Sequence, residues 1–126
     1  VWSTETKARE TLRCAIPGSV DVTQDSGFDE VRRYEPFDDH YLARRLAWVT
    51  GNLDARHAGW ETPQEAATRF EDAVLRHHCS DRPLIIATHG MIMTAWLVHC
   101  RRLPGSQDPG EFWRALSFPD LVHVDN

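Results

Sequence analysis

The stretch from Pro83 to Trp96, "PLIIATHGMIMTAW", limits the fold more than any other part of the chain. Its first half is a continuous apolar run bounded by Pro83 and Gly90. Such a run, short and rich in β-branched residues, predicts a strand buried on both faces. Its second half, Met91 to His99, predicts a helix, with Pro104-Gly105 as a break beyond it. His89 and Gly90 stand at the junction. Ligands of open α/β sheets bind outside the carboxyl ends of the strands. The first N–H groups of a following helix and its positive dipole end favour an anion there. His89 is therefore a candidate site residue, against the plainer role of a satisfied histidine closing a strand.

The rest of the chain supplies the neighbours. Val1-Trp2 is short and β-prone, and Ser3 or Thr4 is placed to cap a helix over about Thr4 to Ile16, stopped by Pro17-Gly18. Ser19 to Thr23 alternates like a short strand, and residues 24–37 carry loop signals. Asp38-Asp39 can open a helix with Leu42, Leu46 and Val49 on one face and Gly51 as its stop. Thr62-Pro63-Gln64-Glu65 is the sharpest local signal: a capping threonine, a proline at the first helical position and a glutamate closing a capping box. The helix that follows should end near Cys79 to Asp81. Phe112 to Leu116 predicts a short helix or turn, and Leu121 to Val124 a last, edge strand. Strands alternating with helices predict a single α/β domain over residues 1–126, with a mostly parallel central sheet flanked by helices.

Composition removes several function classes. A net charge of −5 argues against a general nucleic-acid surface, which needs excess Lys and Arg. No apolar run approaches the ~18 residues that span a bilayer, so no membrane partner is expected. Cys14, Cys79 and Cys100 are odd in number and widely spaced, so a disulfide framework is not expected and a reducing cytoplasm is. His77-His78-Cys79 invites a metal, but adjacent helical residues point about 100° apart and no second cluster completes a ligand set. No metal or cofactor is implied. A hydrolase of unrelated fold would need a Gly-x-Ser-x-Gly elbow, which the chain lacks. Lys7 lies near the start of the first helix, where a cation opposes the dipole: it is a candidate for serving an anion, against the plainer role, favoured for this junction alone, of a solvated lysine in a mixed-charge helix.

Taken in order, these segments resemble the histidine phosphatase superfamily, also called phosphoglycerate mutase-like. "WSTETKARET" is similar to its Ser-Ser-Pro-Leu-x-Arg-Ala-x-x-Thr helix start, and "FDE" (residues 28–30) to its Leu-x-Glu. "WETPQEAATRFEDAVL" resembles its Gly-Glu-Ser segment and long helix, "PLIIATHG" its strand ending in the second active-site His-Gly, and "LSFPDLVHV" its closing region. The resemblance spans almost the whole chain.

It implies phosphoryl transfer through a phosphohistidine, more in the manner of a phosphatase than a mutase, on a phosphorylated small molecule or phosphoprotein. By resemblance, His89 is the second histidine, stabilising charge on the transferring group, and Glu30 is the proton donor. Lys7 stands where the family has a phosphate-binding arginine, and Gly90 and Ser3 complete the phosphate contacts. The family's nucleophile belongs to an Arg-His-Gly motif, and the sequence contains none. The expectation is therefore a histidine phosphatase domain lacking its first strand and nucleophile, a segment of roughly 30 or more residues if it completes one βαβ unit. Lys7 in place of arginine offers a point charge instead of a bidentate fork. The family's Gly and Trp after Leu-x-Glu have no counterpart in "EVRRYEPF". A non-catalytic relative that keeps a phosphate-shaped crevice is the alternative.

Overall fold

The computed structural model describes residues 1–16, 22–106 and 108–125. Five α-helices account for its regular structure: α1 (Thr6–Ala15), α2 (Tyr41–Thr50), α3 (Pro63–His77), α4 (Gly90–His99) and α5 (Pro109–Ala115). Single 3-10 turns occur at Ser26–Phe28 and Pro104–Ser106.

The expected α/β fold with a central parallel sheet is not what forms: among the described residues there is no sheet. Three isolated bridges stand in its place. Trp2 pairs in parallel with Gln24 on one side and with Ala87 on the other, and Arg33 pairs antiparallel with Trp60. The physical reason lies in the middle segment. Trp2 bonds to Thr23 and Asp25 on one side, its neighbours Val1 and Ser3 bond to Ala87 on the other, and after Ser3 the backbone turns toward α1. A ladder needs successive residues on both partners, and the turn after Ser3 closes each pairing at one bridge. The expected strand over Pro83 to Thr88 is thus extended chain with one bridge, and Ile85 is 54% exposed instead of buried on both faces. The expected edge strand at Leu121 to Val124 makes no bridge, and Leu121 is 90% exposed. In the expected strand Ser19 to Thr23, residues 19–21 lie outside the described residues, as does the Pro17-Gly18 stop.

The helices follow their local signals more closely. At α3, Thr62 accepts from the Glu65 N–H and the Glu65 carboxylate accepts from the Thr62 N–H, a complete capping box with Pro63 behind it. α2 opens after His40, whose N–H donates to Asp38, and stops at Gly51. Its buried residues are Trp48 and Val49, whereas Leu42 is exposed. α1 begins after Glu5, two residues later than expected; the Ser3 hydroxyl accepts from the Glu5 N–H, but no side chain of the N-cap residue closes the helix.

The core is built on α3 against α4. Ala66, Ala67 and Ala73 let the helices approach, and Phe70 stacks on Trp96 with ring centroids 4.8 Å apart. Phe28 meets Phe70 edge-on at 4.9 Å. α4 buries Met91, Ile92, Thr94, Ala95 and Leu97. That all-round burial explains its nearly uniform apolar sequence. Among the described residues, no helix is long and apolar enough to cross a membrane.

Candidate functional site

Helix geometry and the two parallel bridges bring distant residues to one place. The Trp2–Ala87 bridge sets the first residues of the chain beside the segment leading into α4. Ser3, fully buried, lies 86 positions from His89, and its Oγ is 2.9 Å from His89 Nε2. The same hydroxyl donates to Asp29 Oδ1 at 2.8 Å and accepts from the Glu5 N–H at 3.0 Å. A serine hydroxyl has one hydrogen, and Asp29 receives it. His89 Nε2 therefore carries a proton and donates to Ser3. Glu5 Oε1 lies 3.6 Å from the same nitrogen. His89 is the N-cap residue of α4, but its side chain does not cap the helix.

Two neighbouring carboxylates do the capping from outside each helix. Asp29 accepts from the Thr4 N–H and Thr4 hydroxyl just before α1. Glu30 Oε1 accepts from the Ile92 N–H at 3.2 Å, in the first turn of α4, and from its neighbour Val31 at 2.9 Å. The Glu30 N–H in turn donates to Glu5 Oε1 at 2.8 Å. Part of the anion preference of the α4 N-terminus is thus met by a carboxylate of the protein itself. The first two N–H groups of α4, on Gly90 and Met91, have no acceptor among the described residues.

Of the five residues singled out by sequence, Ser3, Glu30, His89 and Gly90 come together. Lys7 is exposed in the first turn of α1 and enters no hydrogen bond or ion pair among the described residues. Four further residues matter that sequence alone did not mark. Glu5 and Asp29 join the cluster; each sits beside a chosen residue, but nothing in its spacing distinguishes it from a surface acid. Trp113 lies against the junction: a Cβ placed on Gly90 would be 3.3 Å from its Nε1 and 3.2 Å from Leu116 Cδ1. Arg69 on α3 holds the 26–30 loop.

A second charged cluster lies at the other end of that loop. Asp25 accepts from the Gly27 N–H, from Arg76 through both oxygens and from His77 Nε2 at 2.9 Å. Burial opposes ionisation of Asp25, but these hydrogen bonds outweigh it and hold its carboxyl below the ordinary value. His77 is thereby engaged by Asp25, while Cys79 donates to Asp81, so the adjacent His77-His78-Cys79 do not converge.

No protein-family model matches the chain, and neither a curated protein nor a solved structure is significantly similar to it.

Proposed function

We propose that the His89–Gly90 junction is the phosphate-holding side of a phosphoryl-transfer site, with a phosphorylated small molecule or phosphoprotein as substrate. The observation that carries this reading is the Ser3–His89 hydrogen bond at the N-terminus of α4, with Glu30 beside it. The ordered resemblance of the sequence to histidine phosphatases supports it further. In this reading the fixed Gly90 and Met91 N–H groups receive the phosphoryl oxygens, and the His89 Nε2–H turns from Ser3 Oγ to join them. Glu30, held 3.2 Å from the Ile92 N–H, is the proton donor to the leaving oxygen. The Trp113 indole N–H borders the phosphate beside Gly90, and Lys7, exposed on the first turn of α1, would have to reach in from solvent. Glu5, Asp29 and Glu30 oppose a dianion electrostatically, so these donors must outweigh them. No Arg-His-Gly is present, so the chain is assigned phosphate binding and proton donation, and the attacking histidine is not among its residues. The three free cysteines favour a reducing cytoplasm as its place of action.

Vanadate titration followed by amide NMR tests this. Binding should shift the Gly90 and Met91 amides, and His89→Ala should weaken it by about tenfold or more, as expected for losing a charge-assisted hydrogen bond. Unchanged vanadate affinity in His89→Ala sinks the proposal.

One observation favours the non-catalytic alternative. Ser3 and Asp29 spend their hydrogen bonds inside the protein, in a network that joins α1, the 26–30 loop and α4. If Ser3→Ala lowers the melting temperature while vanadate binds to neither protein, the cluster is a structural joint.

A further inference from the structure

The 26–30 loop that carries Asp29 and Glu30 has no regular structure beyond one 3-10 turn, yet both carboxylates are placed to within hydrogen-bond distance of two helix starts. The placement comes from Arg69. This side chain projects from the middle of α3 and is 13% exposed. Its Nη1 donates to the carbonyls of Ser26 at 2.9 Å, Gly27 at 2.9 Å and Asp29 at 3.2 Å, and Nη2 reaches the Glu30 carbonyl at 3.4 Å. On its other side Nε and Nη2 meet the Glu61 carboxylate at 2.9 and 2.8 Å. Glu61 is fixed in turn by the Arg32 N–H at 3.1 Å. The guanidinium is a rigid planar fork with five N–H donors. With Glu61 anchoring one edge, the other edge is a template for four loop carbonyls.

We infer that Arg69 is a positioning residue, which fixes Glu30 over the first turn of α4 and Asp29 over the start of α1. It touches neither His89 nor the Gly90–Met91 amides and acts only through the loop. A lysine at this position keeps the charge but cannot span Glu61 and the carbonyls with a planar fork. For substrate handling the inference rests on the phosphoryl-transfer reading; for the placement of the two carboxylates it does not.

Hydrogen exchange in Arg69→Lys separates positioning from mere stability. The Ile92 and Thr4 N–H groups are held by Glu30 and Asp29, whereas Met93 N–H and the later α4 amides are held by helix carbonyls. Exchange at Ile92 and Thr4 should quicken by about tenfold or more relative to the interior α4 amides. If Ile92, Thr4 and the α4 interior change by one common factor, Arg69 is a stabilising residue only and the inference fails. Should Arg69→Lys not fold, Glu61→Gln, which weakens the anchor but leaves the fork, must show the same selective loss to a smaller degree; a uniform change overturns the inference equally. Vanadate binding in the same variants keeps the two claims apart. Selective exchange with no vanadate binding to the wild-type chain retains Arg69 as positioning residue and removes the phosphate reading. Wild-type vanadate affinity in Arg69→Lys together with uniform exchange does the reverse.

Discussion

Ser3 joins three separate parts of the chain through one oxygen atom. It donates to Asp29, accepts from Glu5 and is held by His89. Truncating it leaves the His89 Nε2–H without its acceptor, while Asp29 Oδ1 keeps the Thr4 N–H; one such unsatisfied group costs about 1–3 kcal/mol. Ser3→Ala should therefore lower unfolding free energy by an amount in that range in urea denaturation; a variant of wild-type stability would show that water replaces the hydroxyl. Cys100 behaves differently from an ordinary thiol. Burial, the nearby Glu71 charge and the hydrogen bond to Glu71 push it up to about 11. Little thiolate is present near neutral pH, and thiolate is the reactive form. Iodoacetamide at pH 8 should modify the exposed Cys14 well before Cys100, with peptide mass spectrometry giving the order.

At the scale of elements, the junction of the 26–30 loop with α3 is the most restrictive contact. A Cβ on Gly27 would collide with the Ala73 Cβ of α3 and crowd Arg76 Nη2 at 3.0 Å. Overpacking of this kind costs about 1–3 kcal/mol. Gly27→Ala should destabilise by that much, and Ala73→Gly should recover part of the loss in the double variant despite its own helix cost of about 1 kcal/mol. Strictly additive losses would mean that the two positions do not meet. The helices themselves were largely legible. The Thr62–Glu65 box, the Gly51 stop and the apolar Met91–His99 run all lie where local chemistry put them, because caps and periodicity act over one or two turns. The strands were not. Apolar content marked Pro83 to Thr88 as a buried strand, but whether a strand becomes part of a sheet depends on partners elsewhere in the chain. Here the central partner turns toward a helix after Ser3, so each pairing closes at one bridge. His89 and Glu30 were singled out by an ordered resemblance, and the structure sets both at the start of α4, whereas Arg69 and Trp113 gained their places only by packing of α3 and α5.

Across the whole molecule, paired carboxylates tie loops to helices and set the response to acid. For Glu61 and Glu35, burial favours the neutral form, but hydrogen bonds from Arg69 and the Arg32 N–H, and from Arg45 and Arg33, outweigh it and lower both carboxyls from 4.5. Asp25 is lowered from 3.8. Groups depressed in the folded state contribute stability that is complete above their unfolded values and is lost as pH falls through the folded ones. Unfolding free energy should therefore hold steady above about pH 5 and fall progressively below the ordinary carboxylate range. Stability that rises between pH 5 and pH 3 would contradict this assignment of the ion pairs.

Short-range physics, legible in order along the chain, determined most of the helices, the α3 capping box, the absence of a long apolar run and the pairing of a histidine with a glycine at the start of α4. Tertiary structure decided the rest. It set Trp2 between Gln24 and Ala87 in single bridges instead of a sheet. It also brought Glu5, Asp29 and His89 together around the Ser3 hydroxyl, with Arg69 holding the loop that carries Asp29 and Glu30. Caps and periodicity depend on residues three or four apart, which a sequence displays directly. A bridge or a site depends on groups about 20 to 90 residues apart meeting at hydrogen-bond distance, and that is settled only when the whole chain has packed.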